Sequence, residues 1–192
     1  MQTVNLLHLS LERRTLVVAF EQLWAAWRSE YVSGIATQSL PDNSTCVFCA
    51  IAASTLSPAE TFTVWRGKTC FAVLNAFPYA SGHLLVMPLR HVGELEKLTQ
   101  DEAVELWQAT TAAVVALKSA YGPDGVNLGV NLGRAAGAGL PDHVHIHVLP
   151  RWVGDTNFMT TVAGIRVMPE ALEASWKRLT NAWPSDLTKF EE

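Results

Sequence analysis

Residues 143–152 read His-Val-His-Ile-His-Val-Leu-Pro-Arg-Trp, and this stretch limits the possible folds of the chain more than any other. His143, His145 and His147 alternate with branched aliphatic residues, which indicates a β-strand because successive side chains point to opposite faces. The three imidazoles therefore share one face, with neighbours roughly 6.6–6.8 Å apart along the strand. The aliphatic face needs a core, whereas the imidazoles need polar partners, a ligand or a metal. Three histidines in register predict a functional site rather than a structural role.

A loop of small residues precedes this strand. Residues 125–133 read Gly-Val-Asn-Leu-Gly-Val-Asn-Leu-Gly and predict a short strand, and residues 134–139 read Arg-Ala-Ala-Gly-Ala-Gly. Gly137 and Gly139 allow backbone geometries that bring N–H groups close to an anion. Such a loop is a weak indication alone, but its place beside the histidines makes anion binding a reasonable hypothesis.

Composition narrows the class of protein. The 192 residues are 49% hydrophobic and 17% charged, which is typical of one globular domain with a full core. The net charge of −4, without a basic run, argues against a nucleic-acid polymer as partner. No apolar run reaches the ~18–20 residues of a membrane helix, and no signal peptide is evident, so no membrane partner is expected. Three cysteines suit a reducing compartment, and we expect a cytoplasmic protein.

The remaining elements indicate an α+β fold. Strands are predicted over 61–66 and 69–75, as a hairpin turning at Gly67-Lys68, and over 82–88. Short turns rather than crossover helices join neighbouring strands, which favours an antiparallel sheet.

Three helices are predicted, over 1–32, about 100–120 and about 168–181, with a polar loop at 33–45. Thr99 and Glu102 form a capping box for the second helix, and Pro169 lies near the first turn of the third. The face of the second helix expected in the core carries Ala103, Leu106, Trp107, Thr110, Val114 and Leu117.

Cys46 and Cys49 form a Cys-x-x-Cys pair. In isolation the pair is compatible with a redox couple, with half of a zinc site, or with chance. No thioredoxin-like context surrounds it, and a structural zinc requires two further ligands. Cys70 is predicted to be a small core residue.

The histidine stretch resembles the histidine-triad superfamily of nucleotide hydrolases and transferases, whose pattern alternates three histidines with apolar residues. The glycine loop and Gly-His-Leu-Leu-Val-Met-Pro at 82–88 strengthen the resemblance. Segments 23–31, 73–79 and 150–158 are similar to the bacterial diadenosine-tetraphosphate phosphorylase/hydrolase-like branch. The resemblance covers about residues 22–180.

The resemblance implies a histidine-triad domain over 22–192 with a C-terminal helical tail, after an extension at 1–21. It also implies a five-stranded antiparallel sheet and a homodimer.

The resemblance assigns roles to particular residues. His145, flanked by a histidine on either side, is the expected nucleophile, and His147 and His83 are expected to support it. Nucleotide and phosphate contacts are expected from Asn75 (ribose), Asn131, Gly137, Ala138, Gly139 and Trp152. Zinc-bearing members of the family imply a structural zinc held by Cys46, Cys49, His91 and His143.

The implied function is cleavage of dinucleoside polyphosphates through a nucleotidyl-histidine intermediate, with a purine (di)nucleotide as substrate and phosphate or water as acceptor. Residues 138–142 lack the Gln, Ser or Thr that many members have there, which favours polyphosphates over phosphoramidates. Hydrolysis of nucleoside phosphoramidates, which is the less favoured reaction of the same superfamily, is kept as an alternative. Two others are a zinc hydrolase with His145 and His147 as metal ligands, and a noncatalytic nucleotide sensor.

Overall fold

The computed structural model of this chain describes residues 46–155 and 170–187. Its helices and strands are, in chain order, α1 (Val47–Ala53), α2 (Pro58–Thr61), β1 (Thr63–Arg66), β2 (Cys70–Leu74), β3 (Leu84–Pro88), α3 (Gln100–Tyr121), β4 (Gly125–Val130), β5 (Ile146–Arg151) and α4 (Leu172–Ala182). None of these helices is long and apolar enough to cross a bilayer. The predicted helix over 1–32, the loop over 33–45, Pro169 and the domain boundary after residue 21 lie outside the described residues.

The five strands form one sheet in the order β1-β2-β3-β5-β4, and every neighbouring pair is antiparallel. The α+β class and the five-stranded antiparallel sheet are therefore confirmed. The predicted hairpin also forms, and Glu105 of α3 accepts hydrogen bonds from the backbone N–H groups of Lys68, Thr69 and Cys70 at its turn. Two predicted strands differ in their bounds, because β4 ends at Val130 and β5 begins only at Ile146.

The two faces of the sheet bury different groups. Helices α3 and α4 cover one face, where the even-numbered residues of β2, β3 and β5 form the larger core cluster. On the opposite face α1 lays Phe48 against a smaller cluster of odd-numbered residues that includes Phe71, Leu85 and Met87. The odd-numbered histidines belong to this second face. Alternation along the strands therefore separates an aliphatic core from a polar site.

Helix α3 begins as predicted, with Thr99 and Glu102 forming a reciprocal capping box, and ends at Gly122 in a left-handed conformation (φ 53°). Its predicted core face is partly wrong, because Ala103 is exposed and 63% of Trp107 is accessible. The alanines of the helix pack on the sheet instead: Ala109, Ala113 and Ala116. Their small side chains let the helix approach closely, and this rotates the bulky Trp107 outward.

The C-terminal helix α4 is tied to the end of α3. The Tyr121 hydroxyl donates to Glu170 Oε2 at 2.6 Å, and Ser175 and Arg178 also bind this carboxylate. The Tyr121 ring lies against Gly82, where an added Cβ would meet Tyr121 Cε2 at 2.8 Å and where φ is +80°. Position 82 thus requires glycine both for its backbone conformation and for space.

An ion pair between the exposed Arg90 and the buried Glu102 joins the loop after β3 to the start of α3. Arg90 donates from Nε and Nη2 to the two oxygens of Glu102, at 2.8 and 2.7 Å. The Glu102 side chain is 7% exposed and also accepts the N–H of Thr99 at 2.8 Å. Its hydrogen bonds to Arg90 are the main cause that lowers the pKa of Glu102 from 4.5 to about 2.

We predict that Glu102→Gln lowers the free energy of unfolding at pH 7 by about 1–3 kcal/mol, because the charge-assisted bonds to Arg90 are lost. The folded-state pKa lies below the unfolded value. The stabilisation is therefore present above about pH 4.5 and is lost as the pH falls towards 2. Urea denaturation at pH 7 and pH 3 measures both effects. The exposed Glu96→Gln is the control, and a deficit that stays the same at both pH values would contradict the assignment.

Candidate active site and metal-binding cluster

The four predicted metal ligands come together at one end of the sheet. Cys46 caps α1 and Cys49 lies in its first turn, so their three-residue spacing puts both sulfurs on one side of the helix. His91 follows β3, and His143 precedes β5. One ligand atom from each of the four residues lies within 4.8 Å of all the others.

The distances in this cluster fit tetrahedral coordination. His143 Nδ1 lies 3.3 Å from Cys46 Sγ and 3.6 Å from Cys49 Sγ, and His91 Nδ1 lies 3.3 Å from Cys49 Sγ. Zinc bonds of about 2.3 Å to sulfur and 2.0–2.1 Å to nitrogen place such atoms about 3.5–3.6 Å apart. The His143 Nε2–H donates to the Pro88 carbonyl at 2.8 Å, so the Nδ1 lone pair faces the cysteines. A backbone acceptor of this kind commonly orients a metal-binding histidine.

The backbone of His143 also orients His145. The Nδ1 atom of His145 lies 2.8 Å from the His143 carbonyl oxygen, which can only accept, so Nδ1 carries the proton and Nε2 keeps its lone pair. The ring packs 5.0 Å from that of His147 and 5.1 Å from that of Phe48. Only 6% of His145 is exposed, and burial lowers its pKa. The position of the ring therefore gives a neutral imidazole with one basic nitrogen.

Two hydrogen bonds, from Tyr79 to His83 and from His83 to His147, determine which nitrogen of His147 carries the proton. The backbone N–H of Tyr79 donates to His83 Nδ1 at 3.1 Å, so His83 carries its proton on Nε2. That nitrogen lies 3.0 Å from His147 Nδ1, which therefore accepts, and His147 presents Nε2–H. Burial is the main cause that lowers the pKa of His147 to about 4, and the neighbouring His145 lowers it further. At neutral pH His147 is an uncharged hydrogen-bond donor.

The two predicted asparagines lie on different sides of the histidines. Asn75, after β2, accepts the Phe77 N–H on Oδ1 at 3.0 Å, and its Nδ2 lies 3.3 Å from His83 Nδ1. Asn131 follows Val130, the last residue of β4, which pairs with Ile146, the residue after His145. Asn75 therefore stabilises a turn while it adjoins the histidines.

The small-residue loop makes a tight turn over Arg134–Ala136. Gly137 is left-handed (φ 89°), and its N–H and that of Ala138 donate within the loop, to the carbonyls of Arg134 and Gly133. Among residues 46–155 and 170–187, no protein acceptor takes the Gly139 N–H. Of the three predicted phosphate donors, Gly139 is thus the one with an available N–H group.

Trp152 is not brought to the histidines. Its ring meets Tyr121 at the end of α3, with centroids 6.3 Å apart, which is on the helix-covered side of the sheet. The predicted contact of Trp152 with a second nucleotide or a second subunit stays a prediction.

Two residues that the sequence did not single out contact the site. Phe48, between the cysteines, lies edge-on to His143 and His145, with centroids 5.4 and 5.1 Å away. Tyr79 lies 4.7 Å from the His83 ring. The apolar side chain of Phe48 was an available signal for burial, but its contacts with the histidines depend on how α1 packs on the sheet.

Comparisons with known proteins agree with this geometry. The HIT domain family model matches residues 57–153. A Mycobacterium tuberculosis protein named AP-4-A phosphorylase is 40% identical over 166 residues, which cover 85% of this chain and 84% of that protein. An Arabidopsis thaliana protein named bifunctional bis(5'-adenosyl)-triphosphatase/adenylylsulfatase is 34% identical over 113 residues, covering 59% of this chain and 61% of that protein.

A solved structure shows the same fold. The zinc-bound histidine triad family protein from Mycobacterium smegmatis superposes with a TM-score of 0.58 at 27% identity, covering 72% of this chain and 92% of that one. The sheet, the histidines on one of its faces and these similarities together establish that the chain belongs to the HIT domain family, the histidine-triad family.

Proposed function

We propose that this protein cleaves dinucleoside polyphosphates of the diadenosine tetraphosphate type through a nucleotidyl-histidine intermediate at His145. One observation carries the proposal: the His143 carbonyl holds the Nδ1 proton of His145, which leaves Nε2 as a neutral nucleophile beside His147. The names of two relatives, a phosphorylase and a triphosphatase of adenosine polyphosphates, point to the same substrate class.

In the first step, Nε2 of His145 attacks the α-phosphorus. An N–P bond forms, the bond from phosphorus to the bridging oxygen breaks, and a nucleoside polyphosphate leaves with that electron pair. A polyphosphate is a good leaving group, so the site needs no strong general acid. Because the imidazole is buried, the phosphoryl group would lose much of its water, which strengthens every donor around it.

Three groups are proposed to hold the phosphoryl oxygens. His147 would donate from Nε2–H, in the tautomer that His83 fixes, and the Gly139 N–H would donate from the loop. Asn131, which follows the β4 residue paired with Ile146, would add a side-chain donor. Gly137 and Ala138 would act by shaping the turn, because their N–H groups are already used within it.

In the second step an acceptor attacks the phosphorus and releases His145. Water would give AMP, and inorganic phosphate would give ADP, from an adenylyl intermediate. ATP is the first product from diadenosine tetraphosphate in either case. The ratio of ADP to AMP, measured with and without added phosphate, therefore distinguishes phosphorolysis from hydrolysis.

The alternatives have less support. Ala138, Gly139 and Leu140 offer no side-chain donor of the kind a poor phosphoramidate leaving group needs. For a zinc hydrolase, the described residues contain one group of three or more metal-binding side chains, and it excludes His145 and His147. A noncatalytic sensor would bind the nucleotide without forming a covalent adduct on histidine.

We predict that His145→Ala lowers the rate of diadenosine tetraphosphate cleavage by about a thousandfold or more, because the nucleophile is removed. Mass spectrometry of wild-type protein quenched during turnover should find one adenylyl group on the peptide that carries His145. Trp107→Ala, on the outer face of α3, is the control and should keep full activity. Activity of His145→Ala close to wild type would refute the mechanism.

We also propose that Cys46, Cys49, His91 and His143 hold a structural zinc ion. Two sulfurs and two imidazole nitrogens are a donor set that favours zinc, and their spacing fits tetrahedral bonds. Burial is the main cause that raises the pKa of Cys49, and the hydrogen bond with Cys46 raises it further. A bound cation would favour the thiolate of Cys49. Zinc bound here would join α1 to the ends of β3 and β5 and so support the backbone that orients His145.

Metal analysis of protein purified without chelator should find about one zinc per chain. Cys46→Ser should lose most of this zinc and lower the melting temperature by about 5–10 °C, because metal binding contributes folding free energy. Cys70→Ala, which changes a buried cysteine outside the cluster, is the matched control and should retain zinc. Wild-type protein without zinc would contradict the proposal.

A homodimer and a cytoplasmic location complete the proposal. Strand β4 is an edge strand, and Leu128 and Val130 on it are 46% and 36% exposed, so a second chain could cover them. None of the three cysteines, Cys46, Cys49 and Cys70, is paired in a disulfide, which suits a reducing compartment.

Light scattering should give a mass twice the 21.0 kDa of one chain. Leu128→Glu should shift this mass towards the monomer, because a charge would be buried in the contact. The exposed Val104→Glu on α3 is the control. A monomeric wild-type protein would refute the dimer without touching the chemistry at His145.

A further inference from the structure

The turn that carries His83 contains a glycine in a left-handed conformation. Between β2 and β3 the His83 N–H donates to the Ala80 carbonyl at 3.1 Å, and Gly82 has a φ of +80°. The Tyr79 N–H, which determines where His83 carries its proton, belongs to the same turn and lies 3.1 Å from His83 Nδ1. Gly82 lies between this donor and its acceptor along the chain. A change of backbone conformation at Gly82 therefore alters the hydrogen bond that selects the tautomer of His83.

The last turn of α3 packs against this glycine. A Cβ placed on Gly82 would lie 2.8 Å from Tyr121 Cε2, 3.2 Å from Tyr121 Cζ and 3.1 Å from Leu117 Cδ2. Glycine has more backbone freedom than any other residue, so its conformation depends on what packs against it. Loss of the Tyr121 ring would open space beside Gly82, and the turn could relax into that space.

Tyr121 is itself held by α4 and by the residue that precedes this helix by two positions. The Tyr121 hydroxyl donates to Glu170 Oε2 at 2.6 Å, and Arg178 Nη2 lies 3.0 Å from Glu170 Oε1. The Arg178 guanidinium also lies 5.1 Å from the centroid of the Tyr121 ring, as in a cation–π contact. These contacts fix the ring where it meets Gly82.

We propose that Tyr121 is a positioning residue for the reaction at His145. Its ring holds the turn of His83 through Gly82, and His83 Nε2 donates to His147 Nδ1 at 3.0 Å. The His147 tautomer that presents Nε2–H therefore depends on a side chain at the end of α3, on the helix-covered side of the sheet. The inference rests on the proposed function, in which His147 donates to the transferred phosphoryl group.

This role predicts which kinetic constant changes. A donor aimed at the phosphoryl oxygens acts mainly on the charge that develops in the transition state. An interaction of this kind contributes to kcat, whereas uniform binding of the substrate contributes to KM. A looser His83 should therefore lower kcat and leave KM nearly unchanged.

We predict that Tyr121→Ala lowers kcat for diadenosine tetraphosphate about tenfold and changes KM by less than about twofold. Tyr121→Phe keeps the ring and loses only the hydroxyl. It should lower the melting temperature but keep kcat within about twofold of wild type. If Tyr121→Ala does not fold, Tyr121→Leu takes its place, because leucine keeps an apolar side chain without the planar ring.

Nitrogen-15 NMR of histidine-labelled protein without substrate measures the tautomers directly. In wild type and in Tyr121→Phe the two ring nitrogens of His147 should have well-separated chemical shifts, because one carries the proton and the other accepts a hydrogen bond. In Tyr121→Ala the two shifts should move towards each other, as both tautomers become populated.

Leu106→Ala is the matched control for a general loss of stability. Leu106 is 3% exposed and belongs to the core cluster against which Tyr121 packs. It lies about 22 Å from Tyr121 along the axis of α3. Leu106→Ala should lower the melting temperature at least as much as Tyr121→Ala does. It should leave kcat and the His147 shifts unchanged at a temperature where every variant is folded.

Each other result overturns the inference or the proposed function. The inference is wrong if Tyr121→Ala keeps the wild-type kcat, or if its kcat falls while the His147 shifts stay separated. It is equally wrong if Leu106→Ala loses as much kcat, or if Tyr121→Phe is as impaired as Tyr121→Ala. A wild-type protein that does not cleave diadenosine tetraphosphate would overturn the proposed function, whereas the NMR shifts would still decide whether Tyr121 positions His83.

Discussion

The hydrogen bonds of His143 connect the two halves of the site. Its side chain joins the cysteine cluster through Nδ1 and the Pro88 carbonyl through Nε2, while its own carbonyl accepts the Nδ1 proton of His145. Whatever fixes the backbone at 143 therefore fixes the basic nitrogen at 145. A metal held in the cluster would stabilise the nucleophile through the protein backbone, without contact with the reacting phosphate.

Backbone groups also decide the charge on this face of the sheet. The amide of Tyr79 and the carbonyls of His143 and Pro88 each specify where one imidazole carries its proton. Burial lowers the pKa values of the histidines, so they remain neutral although they lie side by side. A cluster of charged imidazoles would repel one another; neutral ones can pack closely and still offer one acceptor and one donor to an anion.

Local patterns in the sequence predicted most of this arrangement. Alternation over 143–147 predicted the common face of the histidines, and the three-residue spacing of Cys46 and Cys49 predicted that their sulfurs lie together. Both patterns are local, so they can be interpreted without knowing which distant residues pack against them. Long-range geometry was less accessible: Trp107 was expected in the core, but the sheet approaches α3 on the side of its alanines. The tautomers depend on the carbonyls of Pro88 and His143, and no side-chain pattern reveals where a backbone carbonyl points.

The contact between Gly82 and Tyr121 has a consequence for how this family member can vary. The tyrosine ring occupies the space that a Cβ at position 82 would need, and the Tyr121 hydroxyl is in turn bound by Glu170 beside α4. The two positions behave as a single volume shared between distant parts of the chain. A methyl group gained at 82 would displace the Tyr121 ring and press on the adjoining His83. Atoms lost at 121 would make room for it but would leave the backbone at 82 strained, because φ there is +80°.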